Sequence, residues 1–301
     1  MNLLVTGAWN HAQDHLEQIR QMGHDVRFLQ YEKDDLPCTY DWVEGVICNG
    51  LFCHHSIEKF TRLRYIQLTS AGYDRVPMAY IREKGISVFN ARGVYSIPMA
   101  EWAVMSILEI YKNAYGFYRK QQQKTWEKDR SLLELAGKRA AIIGYGSVGR
   151  ETAKRLAVFD VEITAVNRSR IEDDRIRNWI PLNRIDQALK QADIVILCIA
   201  LTEETRNLLN ADRLHGMKQG SVLVNMARGA LLDEKELVGC LKEGRLRGAA
   251  LDVFEHEPLL AESELWETPG VIISPHNSFA GDGAGERMAE VIRENLKHIK
   301  E

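Results

Sequence analysis

The sequence has no apolar segment long enough to cross a bilayer. A membrane-spanning helix needs about 20 consecutive apolar residues, whereas the longest candidate, residues 192–201, has the length of a strand and contains Asp193. The N-terminal residues MNLLVTG lack the basic segment and the small-residue cleavage site of a signal peptide. We therefore expect a cytoplasmic protein with no membrane partner.

The chain also has no large excess of positive or negative charge. The chain has 39 Lys and Arg residues against 42 Asp and Glu residues, which gives a formal net charge of -3. No global basic field exists to hold a nucleic acid, so none is expected as a partner.

Cysteine is also scarce. The chain has 5 cysteines, an odd number, and they form no CxxC motif. This usage favours reduced thiols in a reducing compartment.

One short segment raises the alternative of a metal site. Cys48, Cys53, His54 and His55 lie close together in the sequence. The other interpretation is a strand cysteine followed by a polar loop. No second group of ligands has the spacing typical of zinc sites, so no metal is expected.

The pattern of hydrophobic residues predicts an α/β protein of two domains. A length of 301 residues suits two domains at about 150 residues each. Short β-branched runs alternate with helical stretches, which favours parallel sheets covered by helices. The predicted strands are 3–6, 26–29, 45–48, 65–69 and 86–89, and then 140–143, 161–166, 194–199, 221–225, 249–253 and 271–274.

These strands define the expected domains. Residues 1–97 plus 281–301 form a smaller doubly wound domain, and residues 98–280 form a larger one. A long helix begins near Ser96, which can cap it, and a last helix over 286–300 returns to the first domain. Two chain crossings predict a cleft that closes on substrate.

A glycine loop follows the first strand of the larger domain. The segment GYGSVG places Gly144, Gly146 and Gly149 between a strand and a helix. The first glycine permits the tight turn, the second lets the backbone approach a pyrophosphate, and the third allows the helix to pack closely on the strand. The N–H groups at the helix N-terminus then face the phosphates. The loop predicts a dinucleotide cofactor bound by Gly144, Tyr145, Gly146, Ser147, Val148 and Gly149.

The end of the next strand bears on which dinucleotide binds. Sites that prefer NAD usually have an acidic residue here, whereas this chain has Asn167, 18 positions after Gly149. Arg168, Ser169 and Arg170 follow and can contact a 2′-phosphate. This composition predicts a preference for NADP over NAD. The alternative is that both arginines are solvated surface charges.

Polar residues follow three later strands. Arg228, Glu257 and His276 come after the fourth, fifth and sixth strands of the larger domain, at the edge where open α/β sheets bind ligands. An arginine can hold a carboxylate and polarise a neighbouring carbonyl. A histidine can donate a proton to the reduced carbonyl oxygen, and a carboxylate can orient it. Alone, each residue has a structural interpretation, and Glu255 is an alternative partner for the histidine.

With these residues identified, the chain resembles the D-isomer-specific 2-hydroxyacid dehydrogenase family over about residues 68–295. The segments that carry the resemblance are LTSAGYDRV, NARGVYSIPMAEWAV, GYGSVG, LTEETRNLLN, MKQGSVLVNMARGALLDEKEL, LDVFEHEPL and SPHNS. The resemblance implies a Rossmann NAD(P)-binding domain and a flavodoxin-like substrate domain.

The same resemblance implies residue roles. Arg228 binds a 2-keto acid, His276 is the acid/base and Glu257 pairs with it. The backbone at Ala71 and Gly72 receives the substrate carboxylate, and Asp252 contacts the nicotinamide. Further cofactor contacts are expected at Ala200, Thr205 and Ala227. The walls of the substrate pocket are expected at Tyr73, Tyr95 and Phe279.

Residues 99–126 resemble the family's dimerisation helix and arm, which carries Trp126. The resemblance therefore predicts a homodimer.

We therefore expect an oxidoreductase that transfers a hydride between NAD(P)H and a small 2-keto acid such as glyoxylate or hydroxypyruvate. Ala200 departs from the family pattern, in which many members have proline. The chain ends soon after its last helix, which weakens the alternative of a phosphoglycerate dehydrogenase. Two further functions are compatible with the same fold: a nucleotide-sensing, corepressor-like binding protein and a decarboxylating dehydrogenase.

Overall fold

A computed structural model describes residues 1–299, and this part of the chain divides into two compact units. Unit 1 comprises residues 1–95 and the chain from Gly281, and unit 2 comprises Ser96–Ala280. The domain assignment made from the sequence stays a prediction, and residues 300 and 301 of its last range lie outside the described residues.

Unit 1 is built on a five-stranded parallel sheet of order β2-β1-β3-β4-β5. Its strands confirm the five that the sequence predicts. They are β1 (Asn2–Thr6), β2 (Asp25–Leu29), β3 (Gly45–Cys48), β4 (Tyr65–Leu68) and β5 (Ser87–Phe89). The helices are α1 (Ala12–Gln21), α2 (Met78–Glu83) and, from the end of the chain, α9 (Ala284–Lys297).

Both faces of this sheet are buried, as parallel strands require. Leu3 and Val5 point to the side covered by α1 and α9, whereas Leu4 points to the opposite side. Helix α9 begins two residues before its predicted start at Glu286, and its predicted end at Lys300 lies outside the described residues.

A buried polar contact joins α9 to β4 of this sheet. The side-chain amide of Asn295 donates to Oε1 of Gln67 at 2.8 Å, and the Tyr65 hydroxyl donates to the same oxygen at 3.3 Å. Gln67 is fully buried, so these bonds satisfy a group that would otherwise destabilise the core.

The residues considered for metal binding lie at the end of β3 and in the loop that follows it. Cys48 is buried in β3, and Cys53 is exposed. His55 is buried between the hydroxyl of Tyr40, 3.0 Å from Nδ1, and the backbone oxygen of Glu32, 3.0 Å from Nε2. Within residues 1–299, no group of three or more His, Cys, Asp or Glu side chains is arranged to hold a metal ion.

Unit 2 is built on a seven-stranded parallel sheet of order β12-β11-β10-β9-β6-β7-β8. Its strands are β6 (Arg139–Ile143), β7 (Glu162–Asn167), β8 (Asn178–Pro181), β9 (Ile194–Leu197), β10 (Ser221–Asn225), β11 (Leu246–Leu251) and β12 (Val271–Ile273). Its helices are α3 (Ser96–Tyr111), α4 (Ala114–Gln122), α5 (Ser147–Ala157), α6 (Ile185–Leu189), α7 (Ala211–Gly216) and α8 (Glu234–Lys242). Short 3-10 helices across the chain are Tyr40–Trp42, Leu51–Cys53, Ile57–Lys59, Leu182–Arg184, Gly229–Leu231 and Glu264–Trp266.

The sequence predicts six strands for unit 2, whereas its sheet has seven. The missed strand, β8, is four residues long, contains Pro181 and lies at the edge of the sheet beside β7. A proline is tolerated at an edge because its missing N–H need not join the ladder. The strand order reverses at β6, with β7 on one side and β9 on the other. This is the topology of a dinucleotide-binding sheet, and it confirms the predicted fold class.

The long helix α3 begins at Ser96 as expected, but the predicted cap does not form. The Ser96 hydroxyl is buried and has no hydrogen-bond partner within residues 1–299. At the start of α8 a side-chain cap does form, since Asp233 Oδ1 accepts from the Glu236 N–H at 3.0 Å. In the described part of the chain, no helix combines the length and apolarity needed to cross a membrane.

Candidate active site

The glycine loop joins β6 to α5 and has the geometry that a pyrophosphate needs. Gly144 has φ +94, and a Cβ there would lie 2.7 Å from the backbone of Cys198. A Cβ on Gly149 would lie 2.4 Å from the Gly144 oxygen, so both positions exclude a side chain. Gly146 faces open space at the N-terminus of α5, which has no side-chain cap. Its uncapped N–H groups fit an anionic group.

An acidic residue that the sequence analysis missed supports the loop region. Asp173, whose side chain is 5% exposed, receives hydrogen bonds from Arg175 and lies 3.1 Å from Arg150. Hydrogen bonds from Arg175 lower the pKa of Asp173 to about 2. The Arg150 guanidinium also lies over the Tyr145 ring, 5.1 Å from its centre, and burial raises the pKa of Tyr145 to about 12. These contacts anchor the segment that follows β7.

The residues predicted to select the cofactor lie at the carboxyl end of β7. Asn167 ends the strand, and its side-chain amide donates to the Ser169 oxygen at 3.2 Å. Arg168 and Arg170 are both exposed, which keeps them available to a ligand. Each also has an acidic neighbour: Glu204 lies 2.6 Å from Arg168, and Glu172 lies 3.6 Å from Arg170.

The loop after β9 carries the other expected cofactor residues. Thr205 is fully buried, and its hydroxyl donates to the Ala200 oxygen at 2.8 Å. The same hydroxyl accepts from the Thr202 N–H at 2.7 Å. Thr205 therefore shapes this loop from inside, while Ala200 is exposed on it.

Arg228 follows β10 and has an extended backbone (φ -151, ψ 143). The Asn225 side chain fixes this turn, because it accepts from the Ala227 N–H at 3.2 Å and donates to the Arg228 oxygen at 3.0 Å. One guanidinium nitrogen of Arg228 donates to the Ala227 oxygen at 2.7 Å. The polar Asn225 thus sets the position of the predicted substrate-binding arginine.

His276 and Glu257 form the pair that the sequence predicts. Nδ1 of His276 lies 2.8 Å from Oε2 of Glu257, and the other carboxylate oxygen accepts from the Phe254 N–H at 3.1 Å. The carboxylate that contacts the His276 ring is therefore that of Glu257 and not that of Glu255, the alternative partner. With Nδ1 bound to a carboxylate, Nε2 is the ring nitrogen that can act on a substrate. The Phe279 ring packs edge-on against the imidazole, with 6.3 Å between ring centres.

Asp252 holds the backbone around His276. His276 has φ +51, a left-handed conformation that few residues other than glycine adopt readily. The backbone N–H of His276 donates to the backbone oxygen of Asp252 at 2.8 Å. The carboxylate of Asp252 is 1% exposed and accepts from Ser274, Asn277 and Ser278, the last through both N–H and hydroxyl. The resemblance gave Asp252 a cofactor role, and the structure adds this support of the histidine turn.

Glu234, at the start of α8, is a further residue that the sequence analysis missed. Its carboxylate accepts from the Glu255 N–H at 2.6 Å, two residues before Glu257. Burial raises the pKa of Glu234, and the neighbouring Glu255 and Glu257 charges add to the effect. No sequence signal pointed to Glu234, since it also fits an ordinary first-turn helix residue.

Gly229 brings the arginine turn against the loop that carries Glu257. A Cβ at Gly229 would lie 1.9 Å from the backbone carbon of Phe254, a separation that no side chain can occupy. We expect Gly229→Ala to lower the free energy of unfolding by about 1–3 kcal/mol or more, and to lower turnover, because the two loops must separate. Urea unfolding and steady-state assays would measure both effects.

Gly239→Ala is the matched control for this substitution. Gly239 lies inside α8, and a Cβ there meets nothing within 4 Å. Removing a helical glycine stabilises by about 0.5–1 kcal/mol, so this variant should unfold at the same or higher urea concentration. A Gly229→Ala protein as stable and active as the Gly239→Ala protein would contradict the packing argument.

The loop predicted to receive a carboxylate lies in unit 1, after β4. The Asn90 side chain donates to the Ala71 oxygen at 2.7 Å, and the Ser70 hydroxyl donates to the Gly72 oxygen at 3.1 Å. Within residues 1–299, the N–H groups of Ala71 and Gly72 have no acceptor. Nearby, the Tyr95 hydroxyl donates to the Thr69 oxygen at 2.5 Å. The loop therefore has fixed carbonyls and N–H groups suited to an anion.

Comparison with known proteins identifies the family of the chain. A family model described as D-isomer specific 2-hydroxyacid dehydrogenase, NAD binding domain, matches residues 104–278. The chain belongs to this family, and it is an oxidoreductase that binds a nicotinamide cofactor. The glycine loop and the uncapped N-terminus of α5 fit that cofactor.

Individual relatives cover most of the chain. A glyoxylate reductase from Thermofilum pendens is 36% identical over 242 residues, which are 78% of this chain and 71% of the relative. A glyoxylate/hydroxypyruvate reductase, HPR3, from Arabidopsis thaliana is 33% identical over 238 residues, 78% of this chain and 72% of the relative. A D-isomer specific 2-hydroxyacid dehydrogenase from Xanthobacter autotrophicus Py2, solved in complex with NADPH and MES, aligns with a TM-score of 0.82. Its sequence is 26% identical, and the alignment covers 98% of this chain and 93% of that one.

Proposed function

We propose that this protein reduces small 2-keto acids, with glyoxylate and hydroxypyruvate foremost, and that it prefers NADPH to NADH. The observation that carries the proposal is the His276–Glu257 pair, 2.8 Å apart at the strand edge where Arg228 also lies. The names of the relatives from Thermofilum pendens and Arabidopsis thaliana support the substrate class.

The site residues divide the work of the reaction. Arg228 holds the carboxylate of the keto acid through charge-assisted hydrogen bonds and polarises its carbonyl. The reduced nicotinamide, when bound, supplies a hydride to the carbonyl carbon. His276 gives a proton from Nε2 to the carbonyl oxygen, which becomes the hydroxyl of the product. Glu257 keeps Nδ1 engaged and so fixes the orientation of the ring.

For unit 1 taken by itself, we propose that the backbone at Ala71 and Gly72 binds a carboxylate. The unbonded N–H groups of this loop support the assignment, since aligned backbone donors suit an anion. Only small side chains stand here, so the backbone itself can approach the ligand.

The preference for NADPH is supported by the end of β7. Asn167 stands where a carboxylate would repel a 2′-phosphate, and two exposed arginines follow it. Charge-assisted hydrogen bonds to one phosphate are each worth about 1.5–3 kcal/mol, which corresponds to tenfold or more in affinity.

A homodimer is proposed for the assembly. Large apolar side chains are exposed around α3 and α4, and such patches mark interfaces. Trp126, beyond α4, is 98% exposed, and the others are Met105, Tyr115, Phe117 and Tyr118.

The test is an absorbance assay with the purified protein. Glyoxylate, hydroxypyruvate, pyruvate and longer 2-keto acids are each mixed with NADPH and with NADH. We expect oxidation of the cofactor with the short acids and a higher kcat/KM for NADPH. Equal kcat/KM values with both cofactors would overturn the preference.

Failure with every acid would overturn the proposed reaction. If the cofactor still bound tightly, a nucleotide-sensing role would replace it. Activity confined to phosphoglycerate or to an oxidative decarboxylation would assign a different enzyme on the same fold.

A further inference from the structure

An ion pair joins the two loops on either side of the glycine loop. In the sheet of unit 2, β7 and β9 are the neighbours of β6. Arg168 follows β7, Glu204 lies in the loop after β9, and Nη2 of Arg168 is 2.6 Å from Oε2 of Glu204. Since neighbouring strands lie about 4.8 Å apart, the pair links loops whose strands are about 9.6 Å apart.

The position of Glu204 is fixed by a tight turn. The N–H groups of Thr205 and Arg206 both donate to the Thr202 oxygen, at 3.1 and 2.9 Å. The buried Thr205 hydroxyl also closes the turn onto the Thr202 N–H and the Ala200 oxygen. These hydrogen bonds hold the backbone of Glu204 near Arg168, whereas its exposed side chain is free to rotate.

The pair itself is weak enough for an anion to displace. The side chains of Arg168 and Glu204 are 56% and 65% exposed, and exposed ion pairs contribute little to stability. A 2′-phosphate has about two negative charges and three acceptor oxygens, so it is the stronger partner for a guanidinium. Once displaced, the Glu204 carboxylate stays close to the phosphate and repels it.

We propose that Glu204 is a specificity-determining residue that competes with the cofactor 2′-phosphate for Arg168. The inference rests on the proposed function, because it places a dinucleotide at the glycine loop with its 2′-position near Arg168. Glu204 lowers the affinity for the phosphorylated cofactor and leaves the affinity for NAD⁺ unchanged, since NAD⁺ has no group that needs Arg168. The ratio of the two affinities is thus set by an acidic residue 36 positions after Arg168 in the sequence.

The experiment is isothermal titration of the full chain, which needs no catalysis. Wild type and Glu204→Gln are titrated with NADP⁺ and NAD⁺, and with the fragments 2′-phospho-AMP and AMP. We expect Glu204→Gln to bind NADP⁺ and 2′-phospho-AMP about three- to tenfold more tightly, and NAD⁺ and AMP within about twofold of wild type.

Two further variants isolate the cause. Glu203→Gln makes the same change of charge one residue earlier, at an exposed glutamate that forms no ion pair in the described part of the chain, and it should leave all affinities unchanged. In the double variant Arg168→Gln/Glu204→Gln, the gain in affinity for NADP⁺ and 2′-phospho-AMP should disappear. The reason is that the guanidinium for which Glu204 and the phosphate compete has been removed.

Several results would overturn the inference. One is that Glu204→Gln binds NADP⁺ as weakly as wild type or more weakly, which would make Glu204 a positioning residue for Arg168. A gain that persists without Arg168, or no binding of the phosphorylated ligands to either protein, overturns it as well. A wild type that binds NADP⁺ no better than NAD⁺ instead contradicts the proposed preference, and the Glu204→Gln ratio still decides the role of Glu204.

Discussion

Replacing His276 with asparagine is expected to lower kcat by about 10²–10⁴-fold, the usual contribution of a positioned general acid. Asparagine tolerates the left-handed backbone at φ +51 better than most residues, so the substitution removes the proton donor and retains the turn. The affinity for NADP⁺ should stay the same, because the glycine loop and the end of β7 are untouched. Steady-state kinetics and titration calorimetry measure the two quantities.

His215→Asn is the matched control. Its side chain is 42% exposed against 43% for His276, and it lies 3.6 Å from a glutamate, Glu236, in the same unit. This variant should keep the kcat of wild type. A His276→Asn enzyme with comparable kcat would show that another group donates the proton.

Replacing Arg228 with glutamine should lower kcat/KM for the keto acid by about 10²–10³-fold, because two charge-assisted hydrogen bonds to the substrate are lost. Arg228→Lys keeps the charge but cannot form the bidentate contact, so we expect it to recover only part of that loss. The loss should appear in both KM and kcat, since the arginine is assigned to substrate binding and to polarising the carbonyl. Steady-state kinetics at several keto acid concentrations separates the two constants.

Arg177→Gln controls for the loss of one positive charge. Arg177 is exposed and directly precedes β8, so it lies at the amino ends of the parallel strands. Arg228 follows β10 and lies at their carboxyl ends. Its removal should leave kcat/KM unchanged. A change in cofactor affinity alone in Arg228→Gln, with normal kcat/KM for the acid, would assign Arg228 to the cofactor instead.

Much of this architecture can be predicted from the sequence because it depends on local patterns. Buried parallel strands appear as short β-branched runs, and all the predicted strands were confirmed to within a few residues. The contact of His276 with Glu257 was predictable for a related reason. Both follow strands that end at one edge of the sheet, so topology alone brings them close.

The features that sequence reasoning missed depend on contacts between distant loops. Strand β8 was missed because four residues with a proline give too short a pattern. Glu204 and Glu234 were missed because an exposed or first-turn glutamate has no distinctive signal until its partner is placed. The left-handed backbone at His276 follows from the hydrogen bonds around Asp252, which no local sequence pattern encodes.

The contribution of α9 to unit 1 sets an order of events during translation. Strands β1 to β5 leave the ribosome early, yet one face of their sheet lacks Met288 and Ile292 until α9 is made, and Gln67 lacks its bond from Asn295. At about 5–20 residues per second, the intervening chain takes on the order of 10 to 40 s to synthesise. All of unit 2 emerges in that interval and can fold first. Unit 1 is therefore begun before unit 2 but completed after it.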